Sequence, residues 1–133
     1  LPTIIGCAAH HISEALILNL LRIGGRAAYR LEAIDEDILP AEICHQIVET
    51  DPAAVLIVAI PPGGFAQARF LCESIRGEGY SKPIILACLG KFKNFDKLFV
   101  KARKVGVTSM TTSYSQTQAK LHSFLSGHST SNK

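Results

Sequence analysis

No apolar run in this chain is long enough to cross a bilayer. The longest uncharged, strongly apolar stretch covers residues 52–68 and is interrupted by Pro61-Pro62-Gly63-Gly64, whereas a membrane helix takes about 20 suitable residues in a row. Cysteine pairs at metal or redox spacing are also missing. Cys7, Cys44, Cys72 and Cys88 stand far apart and no Cys-x-x-Cys occurs, so a zinc or dithiol site has little support. Each cysteine lies inside an apolar stretch, and buried thiols in a reducing compartment, the cytoplasm, are the expectation. A basic start followed by an apolar run and a small-residue cleavage site is absent, so no secretory signal is visible. The first residue is Leu1 rather than Met, which sets the expectation of a piece of a longer protein. No motif for a chemical reaction stands out.

What is present is enough for one core. The chain has 133 residues, 47% of them hydrophobic and 19% charged, which excludes a disordered chain and fits a single domain. Residues 1–126 are expected to form that domain. Residues 127–133, polar and rich in Ser, are expected to be a flexible tail.

Apolar runs of strand length alternate with stretches of helical period. Strands are predicted over residues 3–8, 27–33, 54–60, 83–89 and 107–110, and helices over 12–23, 40–49, 65–76, 95–105 and 115–125. Ile12, Leu16, Leu20 and Ile23 recur at helical spacing in the first helix, which stops at Gly24-Gly25. Tyr29 and Leu31 alternate with Arg30 and Glu32, as in a half-exposed edge strand. The continuous apolar run over 54–60 reads as a central, fully buried parallel strand. Strict strand–helix alternation calls for an α/β domain with one five-stranded parallel sheet and helices on both faces. Right-handed crossovers and five strands give the flavodoxin-like order 2-1-3-4-5.

In such sheets ligands bind beyond the carboxyl ends of the strands, where the strand order reverses. The candidate ligand-binding residues there are His10, His11 and Ser13 after the first strand, Pro61, Pro62, Gly63 and Gly64 after the third, and Gly90 after the fourth. A phosphoacceptor receiver needs an Asp ending the third strand and acidic residues after the first. Pro61 and Ala8 hold those places, and Asp35-Glu36-Asp37 follow the second strand instead. A flavin or dinucleotide loop wants glycines after the first strand, which are lacking, and Pro61-Pro62 removes two amide donors. The helix dipole favours neutral imidazole at His10 and His11, the form that a metal ligand or a general base requires. Loop-lining histidines and a tight Gly63-Gly64 turn are the structural alternatives.

At these residues the plan resembles cobalamin-binding domains, which carry Asp-x-His-x-x-Gly after the first strand, the His being the lower ligand of cobalt. On Ala8-Ala9-His10-His11-Ile12-Ser13 the ligand position falls on His10. Ala8 replaces the orienting Asp and Ser13 the Gly. Val58-Ala59-Ile60 replaces the family's Ser-x-Leu, and Leu89-Gly90 its Gly-Gly. Loss of an orienting partner weakens a metal site about 10- to 100-fold, so no cofactor is expected. A second resemblance rests on Ala59-Ile60-Pro61-Pro62, Ala68-Arg69-Phe70-Leu71-Cys72 and Ile75-Arg76. It is similar to the soluble domain at the carboxyl end of autoinducer-2 exporter-type permeases, which shares the cobalamin-binding fold without its cofactor motif. Cys88-Leu89-Gly90 stands where that family has Gly-Leu-Trp. The likeness implies a non-catalytic regulatory or interaction module at the inner face of the cytoplasmic membrane, its partner the membrane-spanning part of the same parent chain. The alternative is a sensor binding cobalamin or an anionic metabolite at the crest. A third reading is an enzyme whose partner residues lie on another chain.

Charge is uneven. Residues 91–104 hold six cations and one anion, a balance of +5, and the remainder holds eight cations and ten anions, a balance of −2. Lys93, Lys97, Lys101 and Lys104 recur at helical spacing and form one stripe. Phe95, Leu98, Phe99, Ala102 and Val105 fall on the opposite face. A solvated outer face is one reading. A contact for an anionic surface is the other, each Lys contributing about 1 kcal/mol near an anionic bilayer. Nucleic acid is not an expected partner, because the stripe has no base-stacking aromatics and the chain no helix-turn-helix plan.

Overall fold

The computed structural model describes residues 2–9, 12–24, 28–34, 39–60, 64–90 and 94–131, with backbone alone in 12–16 and 126–131. His10, His11, Pro61, Pro62, Gly63 and Lys93 therefore lie outside the described residues, as does the side chain of Ser13. The element order is β1 (Thr3–Ala8), α1 (Ile12–Gly24), β2 (Arg30–Ala33), α2 (Pro40–Thr50), β3 (Ala54–Ala59), α3 (Phe65–Gly77), β4 (Ile84–Cys88), α4 (Phe95–Lys104), β5 (Ser109–Thr111) and α5 (Tyr114–Ser131). All strand pairs are parallel and the sheet order is β2-β1-β3-β4-β5, as expected from the alternation.

The sheet separates two cores by the period of two in its strands. Ile5, Cys7, Val55, Ile57, Ala59, Ile84, Leu86 and Cys88 point to one face, where α2, α3 and α4 cover them with Ile43, Cys44, Ile47, Ala68, Leu71, Cys72, Ile75 and Ala102. Ile4, Ala54, Leu56, Val58, Ile85 and Ala87 point to the other, under Leu18 and Leu21 of α1 and Leu121 and Leu125 of α5. Every residue of β3 is buried, which is why that segment reads as unbroken apolar sequence. Each large side chain buried this way contributes about 1.5–3 kcal/mol.

The buried face of α1 differs from the expected stripe. Leu18 and Leu21 are fully buried, whereas Leu20 is 46% and Ile23 52% exposed. The helix is apolar on more than one side, so spacing alone does not choose the face; the sheet does. Gly6 of β1 leaves the space that Leu18 fills, since a Cβ there would stand 2.6 Å from Leu18 Cδ2 and 3.2 Å from Leu31 Cδ2. The Tyr29 hydroxyl donates to the Leu21 carbonyl at 2.9 Å and the Tyr114 hydroxyl to the Leu20 carbonyl at 3.1 Å, tying α1 to the residue before β2 and to α5.

The largest shifts of element ends fall in β2, β5 and α5. The β1–β2 ladder opens at Thr3 opposite Arg30, after a turn at Ala28, so β2 is shorter than predicted. β5 shifts to Ser109–Thr111 because the Ile84 amide donates to Thr108 Oγ1 and the Thr108 amide to the Ile84 carbonyl, at 3.0 and 2.8 Å, ahead of the ladder. α5 begins after Ser113, whose Oγ accepts the Gln116 amide at 3.0 Å, and continues through Ser131, beyond the predicted end at residue 125.

Candidate functional site

The strand ends that meet at the order reversal are built from residues with apolar side chains or none. Ala8 and Ala9 end β1, Ile60 follows β3, and Leu89 and Gly90 follow β4. Their amides are not all open to a ligand. Ala9 N–H donates to the Val58 carbonyl and Leu89 N–H to the Ala59 carbonyl, each at 3.0 Å, extending the ladder into the crest. Gly64 precedes α3 with φ 80° and Gly90 has φ 118°, both left-handed values suited to glycine. Gly64 is buried and its carbonyl accepts the Ala68 amide at 2.8 Å. Ser13 occupies the second position of α1. No carboxylate stands at the described ends of β1 or β3, so the described crest lacks the acidic group of a phosphoacceptor.

Beside that crest lies a cavity of about 390 Å³ lined by Ala8, Ala9, Pro40, Ile43, Ala66, Gln67, Phe70 and Leu71. Its described lining side chains are apolar apart from Gln67. Among the described residues of the crest, Ala8 and Ala9 at the end of β1 reach it. The residues of α2 and α3 that complete it carry no sequence signal beyond Pro40 at a helix start. Among the described residues no group of three or more His, Cys, Asp or Glu is placed to hold a metal ion, and no described helix is long and apolar enough to cross a membrane.

Thiol chemistry is suppressed. All four cysteines are buried thiols. Loss of hydration pushes Cys7 from 9.0 to about 12, the nearby Cys44 adding to it, and pushes Cys72 to about 11. Cys44 is also raised, chiefly by burial. A thiol held in its neutral form is a poor nucleophile. The Cys72 Sγ donates to the Val105 carbonyl at 3.4 Å, a packing contact between α3 and the end of α4.

The charged feature lies on α4. Lys97, Lys101 and Lys104 are exposed on one side, while Phe95, Leu98, Phe99 and Val105 are half-buried and Ala102 buried against the α3 side of the core. Asn94 starts the helix from a left-handed conformation (φ 58°), its carbonyl accepting the Leu98 amide at 3.1 Å. Lys101, Arg103 and Lys104 sit in its last turn, where the dipole favours cations. Between α3 and α4 runs an open groove of about 420 Å³ lined by Ala66, Arg69, Phe70, Glu73, Lys101, Lys104 and Val105. Two lysines of the predicted stripe thus share a wall with Arg69 and Phe70. Sequence reasoning missed this pairing, because neighbouring helices on a sheet face are placed by topology, not by spacing along the chain.

Fold and sheet order define a flavodoxin-like domain, the fold shared by receiver and cobalamin-binding proteins. No family model matches the chain, and no curated protein gives a significant match. Solved structures with the same fold include a DNA-binding response regulator of the LuxR family from Staphylococcus aureus, at 17% identity and TM-score 0.65 over 94% of this chain and 99% of that one. A cobalamin-binding protein from Desulfitobacterium hafniense DCB-2 is similar at 13% identity and TM-score 0.68, over 92% of this chain and 58% of that one. The methanol:cobalamin methyltransferase complex MtaBC from Methanosarcina barkeri is similar at 12% identity and TM-score 0.70, over 95% and 47%. At these identities the likeness is one of fold.

Proposed function

We propose that this chain is a non-catalytic regulatory or interaction module that docks through the basic face of α4 on the anionic inner face of the cytoplasmic membrane, as the carboxyl-terminal part of a multi-pass permease. The observation that carries the docking is the separation of faces on α4, with Lys97, Lys101 and Lys104 exposed and the opposite side packed on the core. Near an anionic bilayer each such cation contributes about 1 kcal/mol. The permease context rests on the resemblance of residues 53–76 and places the domain near that leaflet.

Co-sedimentation with phosphatidylserine-containing vesicles tests the docking. Lys97→Gln with Lys101→Gln removes about 2 kcal/mol, so affinity falls roughly 30-fold. Binding of the parent falls as salt is raised. Unchanged binding by the double variant overturns the docking. The permease context is checked by the genomic residues preceding Leu1, which should contain repeated apolar spans of about 20 residues.

A second reading is supported by the cavity beside Ala8 and Ala9: a sensor binding cobalamin or an anionic metabolite at the crest. A change in cobalamin absorbance on mixing with the protein, lost in His10→Ala, favours it; an unchanged spectrum counts against the cobalamin form.

A further inference from the structure

Phe70 is 58% exposed, among the most exposed large apolar side chains described. Its helix packs well without it, since Ala68, Leu71, Cys72 and Ile75 of α3 fill the core. Three other rings carry a cation over them: Arg76 over Tyr80, Arg103 over Phe99 and Lys120 over Phe124. Phe70 instead stands open in the groove between α3 and α4, with Arg69, Lys101 and Lys104 around it and Glu73 as the one carboxylate among the described lining residues. On the other side of the lysine stripe, Val100 is 55% exposed. The stripe is therefore flanked by an apolar side chain on each side.

An apolar group ringed by cations matches the depth profile of an anionic bilayer. Aromatic and aliphatic groups reach the boundary between headgroups and acyl chains, while long cationic side chains stay with the phosphates. We infer that Phe70 inserts into the headgroup–acyl boundary of an anionic bilayer while Arg69, Lys101 and Lys104 hold the lipid phosphates around it. This deepens the docking reading and rests on it. Charge alone gives binding that salt abolishes; an inserted ring leaves a part that salt does not remove.

The chain contains no Trp, so Phe70→Trp supplies a sole indole reporter at an exposed position. Its emission should shift to the blue and be quenched by brominated acyl chains when vesicles of phosphatidylcholine with about 30% phosphatidylserine are added. Phe70→Ala should keep the parent's circular dichroism, bind those vesicles several-fold more weakly, and lose the residual binding that the parent retains in about 0.5 M salt. If Lys97→Gln with Lys101→Gln weakens binding and Phe70→Ala does not, the insertion is overturned while the docking stands. If neither weakens it, both fail. If the Phe70→Trp emission shifts with soluble polyglutamate and not with vesicles, the groove takes an acidic polypeptide and the insertion is again overturned.

Discussion

Arg76 is the residue whose removal should cost most for its size. It sits near the end of α3 and its guanidinium reaches two loops at the amino-terminal side of the sheet. Nε and Nη2 donate to the Gly106 carbonyl at 3.0 and 2.8 Å, Nη1 to the carbonyls of Tyr80 and Lys82 at 2.9 and 2.7 Å, and Nη2 to Thr108 Oγ1 at 3.3 Å. The planar fork thus joins the loop before β4 to the loop before β5. Hydrogen bonds from a charged donor contribute about 1.5–3 kcal/mol each. The side chain is half-buried, so water recovers part of that when the donor is removed. Arg76→Met is therefore expected to lose about 2–4 kcal/mol, and Arg76→Lys about half as much, because an ammonium keeps the charge without the fork. Gly106 belongs to the same device. It has φ +103°, and a Cβ there would stand 2.6 Å from Arg76 Cγ. Gly106→Ala in the parent meets both the strain and the guanidinium stem; in Arg76→Met the flexible thioether yields more easily. The cycle of the two substitutions in urea denaturation should accordingly be non-additive. A loss below about 1 kcal/mol for Arg76→Met, with an additive cycle, would refute the clamp.

Three further predictions concern the packing. Gly6→Val should destabilise by about 1–3 kcal/mol in the same assay, since the new side chain collides with the buried Leu18 and Leu31; an unchanged urea midpoint would show that α1 is not seated as described. The buried thiols give a pH dependence of definite sign. Below pH 9 the thiols are neutral folded and unfolded, and their contribution is fully present. Above it the unfolded chain releases protons that Cys7, held at about 12, and Cys72, held at about 11, retain. Stability should therefore fall by about 1.4 kcal/mol per pH unit for each such thiol as pH rises from 9. Cys7→Ala should flatten that slope in denaturant titrations, and a stability that rises over this window contradicts the burial of these groups. An aromatic disulfide reagent should modify the native thiols only as fast as the chain opens.

The sheet was legible because the chain states it twice. Strand lengths alternate with helical periods, and the run ending in Ala59 is apolar throughout because both its faces are covered. The face of α1 was not legible. With Leu16, Leu18, Leu20, Leu21 and Ile23 in one helix, several faces satisfy the same period, and the choice is made by Gly6 on another element. The stripe on α4 was legible because its opposite side is clearly apolar. The groove was not, because Arg69 and Phe70 are about thirty positions away from Lys101 and Lys104 and meet them only through the order of helices on the sheet.

That order also bears on where a function can sit. In this fold the crest is where phosphates and cofactors are usually held, by free amides and short polar side chains. Among the described residues here, the Ala9 and Leu89 amides are engaged by the neighbouring strand, and Ala8, Ala9, Ile60 and Leu89 bring alkyl side chains to the crest. A ligand at that position would have to draw its polar contacts from loops beyond the strand ends, with Gln67 as the nearest described amide in the cavity. The α3–α4 flank has the opposite character. Its Lys97, Lys101 and Lys104 are exposed, so they keep their hydration until a partner arrives, and contact with an anionic surface requires no buried charge to be stranded. Among the described residues two crest amides are taken up by the ladder while the α4 flank carries exposed lysines, and the docking we propose rests on that contrast. The salt dependence of vesicle binding, set beside the cobalamin absorbance, discriminates the two physically: the first reports charge on the helices, the second chemistry at the crest.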